Sequence, residues 1–164
     1  MQRTEPPHVA PEAETLTGFL DYQRETLAWK CSGLTDEQLA TPAVEPSSMS
    51  LLGLLRHLAD VERGWFRRVI AGEDARARHW REDDRDAAFH EAASDTYEAA
   101  FAAWQEEIAR SRKILAERAL DDVVAHDGDR FTVRWIVVHM IEEYARHNGH
   151  ADLLRERIDG ATGE

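Results

Sequence analysis

Residues 139–150 read HMIEEYARHNGH and place three histidines and two glutamates on one short segment. An α-helix turns by about 100° per residue, so with His139 at zero, Glu143 falls at about 40°, His147 at about 80° and His150 at about 20°. These polar side chains form one stripe. Apolar residues flank it on both sides: Trp135, Ile136, Met140, Leu153, Leu154 and Ile158. We therefore predict that the stripe runs through the apolar face of a helix.

A carboxylate on an apolar face needs a partner, because burying it unpaired costs several kcal/mol. Glu143 must be protonated, paired with a cation such as an arginine, or bound to a metal ion. Glu143 and His147 are four residues apart, so on a helix their side chains project together and could occupy adjacent positions around one ion. A buried hydrogen-bond network without metal is the alternative.

A third ligand would have to come from another helix, and His57 in LLRHLADVERGWF is the candidate. On that helix His57 lies at the edge of the apolar stripe, next to Val61, whereas Glu62 points closer to its centre. A half-buried histidine without a metal is the other interpretation of His57. Together with Glu143 and His147, it would complete a site of two histidines and one carboxylate. Such a site leaves coordination positions open, as catalytic ions require.

Other catalytic templates fit the sequence poorly. The predicted helices contain none of the Glu-x-x-His pairs that di-iron bundles require, since Arg146 stands three residues after Glu143. No His-Glu-x-x-His motif occurs in the sequence. Cys31, the single cysteine, has no nearby sequence signal for a nucleophile, and we expect it in or at the boundary of the core. The remaining histidines outside the stripe are expected in solvent: His8, His79, His90 and His126.

Four long helices must position these residues. The first begins at Glu14, directs Leu16, Phe19 and Leu20 inward, and ends at Gly33. The other predicted elements are a capping box at Thr35–Gln38, a second helix from Ser50 to Gly72, a third from Asp86 to about Glu117, and a fourth from Thr132 to about Ile158. The connection before Asp86 is expected to be exposed. A short strand pair around Val123–Val124 and Phe131–Val133 is the one sign of β structure, so the predicted fold class is an all-α four-helix bundle.

Length and composition limit the classes of function. The 164 residues, 43% of them hydrophobic, suit one core, so we predict a flexible tail over residues 1–12 and one domain over 13–164. A net charge of −12 disfavours nucleic acid and anionic membranes as partners. The N-terminal segment has no apolar run typical of a signal peptide, and no stretch approaches the roughly 20 apolar residues of a membrane span, so a cytoplasmic location is expected.

The two segments that carry the candidate ligands resemble a known family. SLLGLLRHLADVERGWF and HMIEEYARHNGHADLLRERIDGATG are similar to the corresponding segments of the DinB superfamily. The similarity is to the actinobacterial branch allied to mycothiol-dependent maleylpyruvate isomerase, and it extends over roughly residues 16–163. It implies a four-helix bundle in up-down-down-up order with a divalent ion, usually zinc or nickel, near one end of the core.

The resemblance also implies roles for particular residues. His57 matches the ligand of the second helix, and Glu143 and His147 match the pair of the last helix. His150 matches a position often held by glutamine, which indicates a residue beside the ligands. Apart from the resemblance, we expect His150 or Glu62, which points toward the centre of its apolar stripe, to tune the surroundings of the ion.

Characterised relatives transfer or isomerise substrates with mycothiol, bacillithiol or glutathione. The implied chemistry is therefore a thiol activated by the ion that attacks a small electrophile. In the isomerase a further C-terminal domain follows the bundle, whereas this sequence stops soon after its last predicted helix, so we expect a transferase in place of an isomerase. A non-catalytic binding or stress-response module of the same fold is the alternative, with a homodimer through exposed aromatic residues such as Trp80 or Trp104.

Overall fold

The computed structural model describes residues 3–163, which are mostly helical. Six α-helices and one two-stranded antiparallel sheet occur among these residues: α1 (Glu12–Cys31), α2 (Asp36–Ala40), α3 (Leu51–Glu62), α4 (Ala87–His90), α5 (Tyr97–Ala116), β1 (Val123–His126), β2 (Asp129–Thr132) and α6 (Val133–Asp159). A π-helical segment, Arg63–Ile70, continues α3, and a 3₁₀ turn, Ala92–Ser94, precedes α5.

The core lies between the four long helices. α1 packs mainly against α6, and α3 packs mainly against α5, while α3 also contacts α1 and α6. Large side chains from all four helices are fully buried in this core, among them Leu20, Leu58, Trp104 and Tyr144. The candidate ligands on α3 and α6 are therefore carried by helices that the same core holds in place.

Helix starts follow the predicted caps. The Thr35–Gln38 capping box is present, with both reciprocal hydrogen bonds formed. Ser50 Oγ accepts from the Gly53 N–H at 3.1 Å, and Thr132 Oγ1 accepts from the Trp135 N–H at 3.1 Å. Because each cap satisfies a backbone donor that the helix leaves unpaired, these residues fix where α2, α3 and α6 begin. The predicted strand pair is also confirmed as β1 and β2.

The third predicted helix is interrupted. It does not run unbroken from Asp86 to Glu117, because Asp95 adopts an extended backbone conformation and Thr96 starts a new helix by accepting from the Ala99 N–H. The Asp95 carboxylate reaches the buried guanidinium of Arg56 at 2.8 Å. This ion pair accounts for a break that helical periodicity alone could not indicate.

Some side chains face differently from the prediction. Phe19, Trp135 and Leu153, all expected inward, are each about half exposed, at 46%, 48% and 57%. Trp104, considered as part of an exposed dimer surface, is fully buried, whereas Trp80 is 49% exposed. A helical wheel gives relative directions only, and the neighbouring helices decide how wide the buried sector is.

The polar connection between Gly72 and Asp86 is held by two carboxylates. Asp60 accepts hydrogen bonds from the backbone N–H groups of Arg78, His79 and Trp80 at 2.6, 2.8 and 2.9 Å. Glu107, which is fully buried, pairs with a set of three arginines: Arg63, Arg67 and Arg78. The segment is largely exposed, as expected, but its backbone is fixed to α3 and its Arg78 side chain to α5.

At the N-terminus, the Thr4 N–H donates to Glu25 of α1 at 2.6 Å and Pro6 is buried. The flexible tail predicted for residues 1–12 remains a prediction, and residues 1 and 2 lie outside the described part. Within residues 3–163, no helix has both the length and the apolarity needed to cross a bilayer.

Candidate metal centre and adjoining cavity

His57 of α3 meets Glu143 and His147 of α6 at one point. Glu143 Oε1 lies 3.1 Å from His57 Nε2 and 3.3 Å from His147 Nε2. One donor atom from each of the three residues lies within 4.8 Å of the others. Among residues 3–163 this is the one cluster of three or more histidine, cysteine, aspartate or glutamate side chains with spacing suited to a metal ion. The structure thus brings together the three residues that the sequence proposed.

The surroundings of the cluster are half-buried, and Glu143 is ionised. Hydrogen bonding to His147 and to His57 lowers the pKa of Glu143 well below its ordinary value. The side chains of Glu143 and His147 are 15% and 12% exposed, whereas His57 is 31% exposed and stacks on Phe89 at 5.7 Å. Glu143 therefore carries a negative charge inside the protein, and His57 is the most exposed member of the cluster.

The other two histidines of the stripe lie beside the cluster along α6. His150 Nδ1 is 3.4 Å from His147 Nδ1, on the side of that ring opposite Nε2. Burial, and then the nearby His147, lower the pKa of His150. His139 stacks on Trp135 and meets the edge of Trp65. His150 thus contacts one member of the cluster, and His139 packs among aromatic rings.

Glu62 belongs to a separate hydrogen-bond network in the core. Its two carboxylate oxygens each accept from the guanidinium of Arg24 at 2.8 Å, and Oε1 also accepts from the Tyr144 hydroxyl at 2.8 Å. Trp104 Nε1 donates to the same hydroxyl at 2.8 Å. Burial and the charge of Glu62 raise the pKa of Tyr144 well above its ordinary value, so the phenol stays protonated. These hydrogen bonds join α1, α3, α5 and α6.

The remaining candidate groups are placed as follows. Cys31 is buried, and burial raises the pKa of its thiol to about 12, so it is not a thiolate nucleophile at neutral pH. His8 and His90 are exposed, as predicted. His79 and His126 are instead half-buried.

A cavity of about 560 Å³ opens beside the cluster, with His57 in its wall. Its other walls come from α3 and the π-helical segment, from α4 and the connection before it, and from the β-hairpin. They include four aromatic residues: Trp65, Trp80, Phe89 and Phe131. Sequence reasoning predicted none of this cavity. Trp65 was identifiable as an inward residue from periodicity, but the contribution of the hairpin depends on tertiary structure.

Asp60 accepts from the backbone N–H of Trp80 and so holds that residue in the wall of the cavity. Asp60→Asn is therefore expected to loosen the connection between Gly72 and Asp86. Asparagine offers one acceptor oxygen in place of two, and a lost bond to a charged acceptor costs roughly 1.5–3 kcal/mol. We expect faster tryptic cleavage at Arg76, Arg81 and Arg85, measured by mass spectrometry of timed digests. Asp83→Asn, a change of the same type on a carboxylate that is 85% exposed, is the matched control. Equal cleavage rates in the two variants would contradict this role of Asp60.

Comparison with known proteins identifies the family. The model of the mycothiol-S-transferase family matches residues 15–160, which is most of the chain and contains the whole cluster and the cavity. The chain belongs to this family. None of the curated protein sequences is a significant match, so the assignment to the mycothiol-S-transferase family rests on the family model.

A solved structure supports the fold. The crystal structure of a conserved protein from Enterococcus faecalis superposes with a TM-score of 0.66 and covers 93% of this chain and all of its own. The two sequences are 17% identical, so the likeness concerns the fold alone. Members of the mycothiol-S-transferase family are DinB-like, in agreement with the mostly helical architecture described above.

Proposed function

We propose that this protein is a metal-dependent mycothiol S-transferase of the DinB-like four-helix type, with His57, Glu143 and His147 holding a divalent ion such as zinc or nickel. One observation carries the proposal. In a member of the mycothiol-S-transferase family, donor atoms from two helices more than 80 positions apart in sequence meet within 4.8 Å beside a cavity large enough for a substrate. In this proposal the long helices α1, α3, α5 and α6 form the up-down-down-up bundle.

The donor set fits such an ion. Two ligand atoms bound at about 2.1 Å in tetrahedral geometry are about 3.4 Å apart. Glu143 Oε1 lies 3.1 and 3.3 Å from the two imidazole nitrogens, close to that spacing. Two imidazoles and one carboxylate are the ligand types of catalytic zinc sites, which keep a further position for substrate. The same distances suit direct hydrogen bonds, so metal analysis must separate the two interpretations.

Each residue of the cluster has a definite part. When bound, a divalent ion supplies Lewis acidity that lowers the pKa of a thiol and favours its thiolate. For Nε2 of His147 to act as a ligand, the ring proton must be on Nδ1, where it can be donated to His150 Nδ1 at 3.4 Å. The ionised Glu143 contributes the negative charge that a divalent cation needs, and His57 lies where the cluster meets the cavity.

The proposed reaction is a displacement at carbon, with the sulfur of mycothiol as the nucleophile. The thiolate of mycothiol forms a C–S bond to the electrophilic carbon, the leaving group departs with the electron pair of the broken bond, and the thiol proton is released to water. We propose transfer in preference to maleylpyruvate isomerisation because the matching family is one of S-transferases.

Conjugate formation tests the proposal. Purified protein loaded with zinc or nickel is incubated with mycothiol and a panel of alkyl and aryl halides, and products are quantified by mass spectrometry. We expect conjugates well above the uncatalysed background, and loss of that excess in His147→Ala. His90→Ala, on an exposed histidine, should retain activity. Absence of any catalysed conjugate with mycothiol, bacillithiol and glutathione would favour the non-catalytic binding module.

A further inference from the structure

The cavity beside His57 has an aromatic interior. Its volume of about 560 Å³ lies within the roughly 300–1,000 Å³ typical of small-molecule sites. Trp65, Phe89 and Phe131 are half-buried in its walls, and Trp80 is held at its side by the Asp60 contacts to the backbone. Aromatic residues on several sides suit a flat apolar ligand, because aromatic pairs add to the free energy of area burial.

Gly64 provides room in this cavity. His57, Val61 and Gly64 follow each other at steps of four and three residues, and all three line the cavity. A Cβ atom built on Gly64 would have no neighbouring atom within 4 Å. Its backbone φ is not positive, so the conformation does not require glycine. A larger side chain at position 64 would therefore occupy open space in the cavity without straining the helix.

The charged groups of the cavity do not favour an anion. Four aspartates and two arginines line it: Asp60, Asp86, Asp127 and Asp129, with Arg68 and Arg85. All of these except Asp60 are exposed, which indicates that they lie toward solvent, while Asp60 is engaged by three backbone N–H groups. Carboxylates outnumber guanidinium groups by two, and a divalent ion held by the Glu143 carboxylate would add only one net positive charge. The charge around the cavity therefore stays negative, as does that of the whole chain at −12, so a carboxylate-bearing ligand would be repelled.

We propose that this cavity binds the electrophile, that the electrophile is a neutral molecule with a flat aromatic body, and that Gly64 sets the size limit. The inference rests on the proposed transferase function, because only that function makes the bound ligand an electrophile. The binding preference itself can be measured without turnover. It specifies the substrate class of the transfer reaction, which the family assignment leaves open.

Binding of unreactive analogues provides the test. Acetophenone, the unreactive counterpart of phenacyl halides, and 4-acetylbenzoate, its carboxylate derivative, are titrated into ¹⁵N-labelled full-length protein. The indole N–H signals of Trp65 and Trp80 report binding. We expect the neutral ketone to bind roughly tenfold or more tightly than the carboxylate, and Gly64→Leu to weaken ketone binding by a similar factor, the range that steric changes in apolar pockets produce.

Matched variants keep the result interpretable. Ala109→Leu introduces the same side chain on the exposed face of α5 and should leave binding unchanged. Gly64→Ala should weaken ketone binding by an intermediate factor. Trp80→Ala should weaken binding without disturbing the core, because Trp80 is 49% exposed. Equal or tighter binding of the carboxylate, or undiminished binding in Gly64→Leu, would overturn the inference. The binding experiment contains no thiol, so a preference for the neutral ketone would hold even if no conjugate formed in the activity assay. Conversely, absence of this preference would leave S-transfer possible, with the electrophile bound elsewhere.

Discussion

Replacing Glu62 by alanine is expected to destabilise the fold by about 3–5 kcal/mol, the usual cost of removing one partner from a buried ion pair. Arg24 is 3% exposed and Glu62 is fully buried, so the guanidinium would keep its charge with little access to water. The Tyr144 hydroxyl would lose the acceptor of its proton as well. Since domains are stable by roughly 5–15 kcal/mol, this is a large fraction of the total.

Urea unfolding and thermal melting measure the effect. For a chain of this size, the loss corresponds to a fall in Tm of roughly 10 °C. Arg110→Ala is the control, because Arg110 pairs with Glu106 on the surface, where such pairs contribute about 0–1 kcal/mol. The double variant Arg24→Met with Glu62→Leu should recover part of the loss, since neither charge is then left alone. A loss below about 1 kcal/mol in Glu62→Ala would contradict this role of Glu62 and would mean that water or Asp21, which accepts from Arg24 at 2.8 Å, compensates the guanidinium.

This network also shows what sequence alone could not give. Helical periodicity placed Glu62 near the centre of the apolar stripe of α3, and its complete burial agrees with that direction. Its partners, however, are 38 and 82 residues away, and only the packing of α1 and α6 against α3 brings them to it. Sequence reasoning assigned Glu62 to the surroundings of the ion, but the hydrogen bonds described above connect it to Arg24 and Tyr144.

The cluster could be predicted from the sequence because two of its three members lie close together in the chain. Glu143 and His147 are one helical turn apart, and their position among apolar residues already required a partner. His57 lies on another helix, so local spacing could not identify it. It was predicted as a ligand because it lies beside an apolar stripe and because of the family resemblance. The break before α5 and the fixed connection before α4 had no such local signal, because Arg56, Asp60 and Glu107 act across the fold.

Purified protein is expected to contain about one divalent ion per chain, and His57→Ala, Glu143→Gln and His147→Ala are expected to lose it. Changes to residues that merely support ligands reduce metal affinity roughly 10–100-fold, so removal of a ligand should cost at least about 100-fold. Elemental analysis after dialysis measures the content. A ligand present at 100 times its Kd stabilises the folded state by about 2.7 kcal/mol, so a chelator should also lower the Tm of the wild type.

Two variants near the site separate coordination from general disturbance of α6. Glu142→Ala removes the exposed neighbour of Glu143, which pairs with Arg146, and His139→Ala removes a histidine of the same stripe one turn away. Both should keep the ion and the response to chelator. If the wild type binds neither zinc nor nickel when they are supplied, and His147→Ala melts at the same temperature, the His57–Glu143–His147 contacts are hydrogen bonds alone. The proposed activation of the thiol would then have no ion. The preference of the cavity for neutral ligands of limited size would still depend on the residues of its walls.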